Sequence, residues 1–195
     1  MTISAIETWY AGCRFRSRLE ARWAVLFDSL GIRWEYEPQG YMVGDVGPRP
    51  YLPDFWLPGA RVWVEVKGSR GALDRKLILD ACIPHWGLPP APMLILGPVP
   101  EPQTCYIGHS VLKFHKGDVY RYWAYFAPGI GLTWQEGMRG AGDSDWLGCD
   151  SGDCGEPYPD LTTSVRLRGL STQSVQLAYQ TARSARFEHG QVGGR

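Results

Sequence analysis

The chain has 195 residues, of which 44% are apolar and 21% are charged, and this composition excludes a disordered protein. A chain of this length can bury a sizeable core, so we expect one domain with a short appendage. Lysine plus arginine equals aspartate plus glutamate, at 20 residues each, so no overall positive charge indicates a nucleic-acid partner, although a local basic stripe is sufficient for one.

The first predicted element is a helix from Ser17 to Leu30. Ser17 can cap its N-terminus, and Glu20 lies three positions later, which is the spacing of a capping box. Apolar residues recur at helical spacing and predict one packed face: Leu19, Trp23, Leu26, Phe27 and Leu30. Glu20 flanks this face, so its side chain can turn toward the sheet or serve the cap, and the spacing permits both.

The elements that follow are predominantly strands. Strands are predicted over residues 32–36, 51–57, 62–67, 92–96, 111–114 and 119–126, and residues 40–43 either continue the first of these or pair with it. A turn-rich loop spans 44–50, and a second helix is predicted over 72–82. The combination of helices and strands predicts an α/β fold.

The pattern changes after about Ala127. Gly, Asp and Ser dominate residues 137–160 without a sustained period, which indicates a loop-rich excursion. Residues 172–188 predict a terminal helix whose packed side chains are Val175, Leu177, Ala178 and Ala182. Arg183 and Arg186 are expected on its exposed face, where they either line a DNA channel or keep the helix soluble. We therefore predict a core over 1–127 and, over 128–195, a Gly/Asp-rich excursion whose C-terminal helix packs on that core.

The most informative segment is strand 62–67, in which three valines alternate with Trp63, Glu65 and Lys67. Successive side chains of a strand face opposite sides of the sheet, so Glu65 and Lys67 share a face. Asp54 arrives from the preceding strand, which brings two carboxylates and an ammonium to one end of the sheet. Such a cluster is costly unless a cation neutralises it, and hard divalent cations prefer oxygen ligands. The sequence predicts a metal site; the alternative is a charged sheet rim with Glu65 and Lys67 as a weak surface pair.

The order helix, strand, acid-bearing strand, Glu-x-Lys strand, helix, strand resembles the PD-(D/E)xK nuclease superfamily, which has the restriction-endonuclease-like fold. The motif is Pro53-Asp54 followed by Glu65-Val66-Lys67, and Glu20 matches the helical acid of many members. The chain is also similar to the nuclease subunits of Tn7-type transposases in three stretches: residues 16–22, 37–39 and 53–55. Residues 182–190 are similar to the C-terminal ending of small actinobacterial and phage nucleases. The superfamily resemblance covers roughly residues 14–97 and implies a restriction-endonuclease-like core, with a mixed central sheet flanked by helices.

The resemblance implies a metal-dependent nuclease that hydrolyses phosphodiester bonds of DNA, as an endonuclease of phage, mobile-element or defence origin. It implies Mg²⁺, for which Mn²⁺ can substitute, bound by Asp54, Glu65 and the backbone carbonyl of Val66. Lys67 would hold or deprotonate the attacking water, and Glu20 would hold a metal-bound water or a second ion. Two alternatives stay open: a catalytically inactive nucleic-acid-binding or assembly protein on the same fold, and an RNA-directed nuclease. A homodimer or larger complex would let two such sites cut both strands.

Four residues are candidates for contacts with nucleic acid: Arg18, Gln39, Arg70 and Lys76. Arg18 is one of several arginines near the start of the chain. Arg70 lies in the loop after Lys67, where it can contact a phosphate. A plain turn residue is the alternative for Gln39. For Lys76 the sequence favours the alternative, a solvated helix face.

Five cysteines, an odd number, argue against a secreted disulfide framework. Cys149 and Cys154 are spaced like half of a structural zinc site, but no second close pair completes it, so zinc is the less favoured interpretation. The sequence shows no charged-then-apolar leader and no apolar run of about 18 residues. We therefore expect a cytoplasmic protein with no membrane partner.

Overall fold

The computed structural model describes residues 6–101, 107–127, 131–134, 139–140 and 173–187. Three α-helices are present in these ranges, α1 Arg18–Ser29, α2 Arg75–Cys82 and α3 Gln173–Ser184, with a 3₁₀ turn at Arg70–Ala72. The strands are β1 Thr8–Tyr10, β2 Cys13–Phe15, β3 Glu35–Tyr36, β4 Tyr41–Val43, β5 Arg49–Tyr51, β6 Phe55–Leu57, β7 Val62–Val66, β8 Met93–Leu96, β9 His109–His115, β10 Asp118–Ala127, β11 Gly131–Trp134 and β12 Arg139–Gly140.

Eight of these strands form a mixed central sheet in the order β11-β10-β9-β8-β7-β6-β3, with β12 paired to β10. Among the described pairings β7 and β8 run parallel, and the others are antiparallel. Parallel neighbours need a crossover connection, and the segment that contains α2 supplies it here. Two further hairpins, β1–β2 and β4–β5, lie outside this sheet. The predicted mixed α/β fold is therefore confirmed.

The sheet lies between two layers, and β7 contributes to both. Val62, Val64 and Val66 pack in one core with α1 and α3. Trp63 packs in a second core with α2 and the β4–β5 hairpin. All five residues of β7 are buried because both faces of the strand are covered. The predicted alternation is confirmed, and it places Glu65 on the face that carries α2 and the hairpin.

Helix α1 forms as predicted and anchors the first core. The Ser17 hydroxyl accepts a hydrogen bond from the Glu20 backbone N–H at 3.2 Å, which completes the N-cap. Trp23 is fully buried, and its Nε1–H donates to the Gly97 carbonyl at 2.9 Å. Its ring meets Tyr179 of α3 edge to face at a centroid separation of 6.4 Å. The same helix therefore holds Glu20 at one end and the C-terminal helix along its side.

The predicted strand 51–57 is two strands, and this difference shapes the site. Strand β5 pairs with β4, whereas β6 continues into the central sheet. Pro53 lies at the break, where a residue that lacks a backbone N–H cannot continue a ladder. Residues 40–43 accordingly pair with β5 and neither continue nor pair with the strand before them.

Two helix details also differ from the prediction. Helix α2 begins at Arg75 because the Asp74 carboxylate caps it, accepting from the Leu77 N–H at 3.0 Å. Leu177 is predicted to pack, but it is 58% exposed. On α3 the buried positions are Val175, Ala178, Tyr179 and Ala182, and Leu177 lies on the opposite face.

Two predictions fall on the part of the chain beyond these ranges. Cys149 and Cys154, the suggested half of a zinc site, lie outside the described residues. The division of the chain near residue 127 also stays a prediction, because most of the segment after it is not described. Within the described ranges, no helix is long and apolar enough to cross a membrane.

Candidate functional site

The antiparallel pairing of β6 with β7 brings the two predicted acids together. Phe55 is opposite Val64 in the register, so Asp54 and Glu65 face each other one position further along. Both side chains are buried, with 3% of Asp54 and 4% of Glu65 exposed. A buried carboxylate pair is costly, and the surrounding residues must neutralise or hydrogen-bond it.

Lys67 lies at the centre of the oxygen atoms that the resemblance assigns to a metal. Its Nζ is 2.5 Å from Glu65 Oε1 and 3.6 Å from Asp54 Oδ2, and it donates to the Val66 carbonyl oxygen at 3.2 Å. Two carboxylates and one carbonyl thus converge on a single positive charge. The alternative of a weak surface pair does not fit, because Glu65 is buried and Asp54 takes part.

Each carboxylate is also fixed by one neutral donor. Asp54 Oδ2 accepts the Val66 backbone N–H at 2.7 Å, and Glu65 Oε2 accepts the Tyr51 hydroxyl at 2.7 Å. Asp54 Oδ1 and Glu65 Oε1 take part in neither bond, and each faces a cationic side chain. The acids are therefore oriented by groups of the protein itself, as an organised binding site requires.

Burial and mutual repulsion alter the ionisation of this group. Burial, together with the nearby Glu65 carboxylate, raises the pKa of Asp54 to about 7. For Lys67, burial alone would lower the pKa, but the charges of Asp54 and Glu65 outweigh it and raise the pKa above its ordinary value. Lys67 is therefore an ammonium in this arrangement, and it can donate a hydrogen bond but cannot accept a proton.

Glu20 both serves the cap and faces the acidic cluster. Its two carboxylate oxygens accept the Ser17 hydroxyl and the Tyr36 hydroxyl, each at 2.6 Å, and one also accepts the Arg16 backbone N–H at 3.2 Å. Its negative charge contributes to the raised pKa of Asp54. Burial and the Glu20 carboxylate raise the pKa of Tyr36, so this tyrosine remains a neutral donor.

The acids form the floor of a cleft of about 630 Å³. One wall is the β4–β5 hairpin, with Tyr41 and Met42, and another is the segment around α2, with Leu77. Arg16 also lines this cleft. Such a volume lies in the range of known ligand sites, so a substrate group can reach the acids from solvent.

Among the described residues that line this cleft, none is a candidate nucleic-acid residue. Gln39 and Arg70 are exposed, and Lys76 points to solvent on α2, where it pairs with Asp80 at 2.8 Å. Lys76 therefore lies on a solvated helix face, which is the alternative that the sequence favours. Arg18 is half-buried at the first position of α1, and its Nε is buried without a hydrogen-bond partner among the described residues.

Four residues of the site were not predicted from the sequence: Arg16, Tyr36, Glu37 and Tyr51. The two tyrosines carry no sequence signal for their roles, because each reaches its acid through tertiary folding of a short strand. For Arg16 the sequence offers one signal of its role, which is its position relative to Glu20. Arg16 lies four positions before Glu20, at the point where the chain enters α1 beside the acids.

The donor set fits a hard divalent ion. Among the described residues, no group of three or more His, Cys, Asp and Glu side chains is placed to hold a metal. An ion at this site would therefore rest on Asp54, Glu65, the Val66 carbonyl and water. Mg²⁺ retains several waters and is commonly held by one or two carboxylates, so this set is sufficient.

No protein-family model, no curated protein and no solved structure matches the chain. The functional assignment therefore rests on the site geometry and the motif resemblance.

The Tyr51 hydroxyl offers a direct test of this geometry. We expect Tyr51→Phe to reduce any metal-dependent activity by roughly 10- to 100-fold, because a hydrogen bond to a charged group contributes about 1.5–3 kcal/mol. Tyr10→Phe is the matched control, since it also removes a tyrosine-to-carboxylate hydrogen bond, to Asp28 at 2.8 Å, and neither residue lines the cleft. Activity and thermal unfolding of both variants would be measured side by side. Equal activity of Tyr51→Phe and wild type would contradict the assigned role.

Proposed function

We propose that the protein is a metal-dependent nuclease that hydrolyses phosphodiester bonds of DNA, on a restriction-endonuclease-like core. The observation that carries the proposal is the convergence of Asp54, Glu65 and the Val66 carbonyl on the Lys67 ammonium at the floor of an open cleft. The order of these residues along the chain is that of the PD-(D/E)xK motif. The geometry of the site and the order of the motif both support this proposal.

Charge at the site favours a divalent cation as ligand. Four carboxylates share the cluster with two cationic side chains: Glu20, Glu37, Asp54 and Glu65 with Arg16 and Lys67. When all six are ionised, two negative charges lack a partner within the cluster. One divalent ion would neutralise them, and its binding would offset the cost of burying the acids.

The chain's own residues would then divide the work of hydrolysis. Bound Mg²⁺ supplies a polarised phosphate and an acidified water. Asp54 and Glu65 would hold the ion, with their second oxygens kept in place by Val66 and Tyr51. Lys67 would hold the attacking water and offset phosphate charge, or deprotonate the water, because a bound cation would weaken the carboxylate charges that raise its pKa.

Cleavage assays on a defined substrate panel test this proposal. The purified chain would be incubated with single-stranded, double-stranded and branched DNA and with RNA, under Mg²⁺, Mn²⁺ or EDTA. We expect DNA cleavage under either metal and none in EDTA. Binding of DNA without cleavage would instead support the inactive binding or assembly protein, and cleavage of RNA alone would support the RNA-directed nuclease.

A further inference from the structure

Arg16 enters the site along a rigidly held piece of backbone. It follows β2 directly and precedes the Ser17 cap of α1. Its backbone N–H donates to Glu20 Oε2 at 3.2 Å and to the Tyr36 hydroxyl oxygen at 3.0 Å. The start of the Arg16 side chain is therefore fixed relative to the acidic cluster.

The guanidinium lies at the mouth of the cleft, on the other side of Asp54 from Lys67. Its Nη2 is 3.6 Å from Asp54 Oδ1, whereas Lys67 Nζ approaches Oδ2. The Arg16 side chain is 57% exposed, compared with 27% for Lys67. A ligand entering from solvent therefore meets Arg16 before it meets Lys67.

Glu37 holds the guanidinium in this position. It forms an ion pair with Arg16 Nη2, and its backbone N–H donates to the Asp54 carbonyl at 2.9 Å. Glu37 has φ of +44°, a left-handed conformation that is disfavoured for a residue with a side chain. Glu37 is thus a strained residue next to Asp54, and the Glu37 carboxylate orients Arg16.

The guanidinium has more donors than these contacts use. Arginine carries five N–H donors. The contacts to Glu37 and Asp54 are both made by Nη2, and the side chain also hydrogen-bonds to Tyr36, which still leaves donors for a ligand. The planar fork of arginine matches phosphate oxygens, and its charge persists at every physiological pH. A purely neutralising role for Arg16 would not require an exposed position in the cleft mouth.

We propose that Arg16 binds a phosphate oxygen of the nucleic-acid backbone at the cleft mouth, with Glu37 as its positioning residue. The substrate class rests on the proposed function. Phosphate would then be contacted by Arg16 on the Oδ1 side of Asp54 and by Lys67 on the Oδ2 side. The contact fixes the position of the backbone and reads no base.

Salt-dependent DNA binding tests this inference separately from cleavage. Binding of a labelled DNA oligonucleotide would be titrated over a range of salt concentrations with Ca²⁺ present, and cleavage would be followed separately under Mg²⁺. We expect Arg16→Ala to weaken binding about tenfold and to lower the slope of log affinity against log salt by about one, as loss of one phosphate contact predicts. Arg16→Lys keeps the charge and should recover the slope with part of the affinity. Arg14→Ala is the matched control, because Arg14 is 58% exposed and paired with Glu7.

The outcomes separate the two proposals. An unchanged salt slope in Arg16→Ala would overturn the phosphate contact, and a loss of thermal stability with that unchanged slope would assign Arg16 a structural role instead. DNA binding without Mg²⁺-dependent cleavage by the wild type would overturn the nuclease, while a reduced slope in Arg16→Ala would still support the contact. Absence of DNA binding by the wild type would overturn both.

Discussion

Alanine in place of Asp54 or Glu65 should abolish Mg²⁺-dependent DNA cleavage, with a loss of roughly 10³-fold or more. Each residue supplies one of the two carboxylates that face a cation, and a metal contributes several kcal/mol to transition-state stabilisation. We expect the fold to persist, because removal of either acid relieves repulsion between two buried charges. Cleavage rates and thermal unfolding would be measured on the same preparations.

The best-matched variants are Asp54→Asn and Glu65→Gln. The amide oxygen of Asp54→Asn can still accept the Val66 N–H, whereas alanine leaves that buried donor unsatisfied at a cost of about 1–3 kcal/mol. Asp45→Asn serves as control, since Asp45 is exposed in the loop that joins β4 to β5. Undiminished cleavage by Asp54→Ala under Mg²⁺ or Mn²⁺ would refute the metal-ligand assignment.

Lys67→Ala should behave differently from the acid variants. It removes the ammonium that contacts both acids and leaves the buried Glu65 without its cation, while Asp54 keeps Arg16 at 3.6 Å. Breaking a buried ion pair from one side typically costs about 3–5 kcal/mol, so this variant should lose stability as well as cleavage. Added Mg²⁺ should restore much of the stability, because an ion that binds the native state alone stabilises it. Thermal unfolding of the variant with and without Mg²⁺ measures this effect, and a melting temperature equal to that of the wild type would contradict it.

The parts of the site that follow from local periodicity could be predicted from the sequence. The alternation in β7 determines the face of Glu65 and Lys67, and the short turn before it makes β6 its neighbour, so Asp54 has to lie opposite. The Ser17 and Glu20 spacing likewise identifies the start of α1. Each of these inferences depends on residues that are close in the chain or on adjacent strands.

The remaining parts depend on contacts that no local pattern encodes. Tyr51 reaches Glu65 because β5 leaves the central sheet and folds with β4 over its face, whereas the sequence predicts a continuous strand over 51–57. Arg16 is positioned by Glu37, which lies beyond α1 and β3 in the chain. The exposure of Leu177 also cannot be read from a local pattern, because it depends on which face of α3 packs against α1.

The raised pKa of Asp54 predicts a pH dependence with a definite sign. The pKa is about 7 in the folded chain, against an ordinary value of 3.8, so the native state holds this proton more tightly than the unfolded state. In the absence of metal, stability should therefore fall as pH rises across the window from about 4 to 7. In the same window Mg²⁺ must compete with the proton, so its apparent affinity should rise with pH and level off above about 7.

Thermal unfolding and Mg²⁺ titration between about pH 5 and pH 8 measure both effects. We expect the wild type without metal to melt at a higher temperature at the acidic end of this range than at the basic end, and saturating Mg²⁺ to reverse that order. About one unit below the pKa of Asp54, Mg²⁺ affinity should be about tenfold weaker than its plateau. Asp54→Asn lacks the titrating group, so its stability should lose most of this slope, whereas Asp45→Asn should retain it. If the stability and the Mg²⁺ affinity of the wild type both stay constant over this pH range, the raised pKa of Asp54 is contradicted.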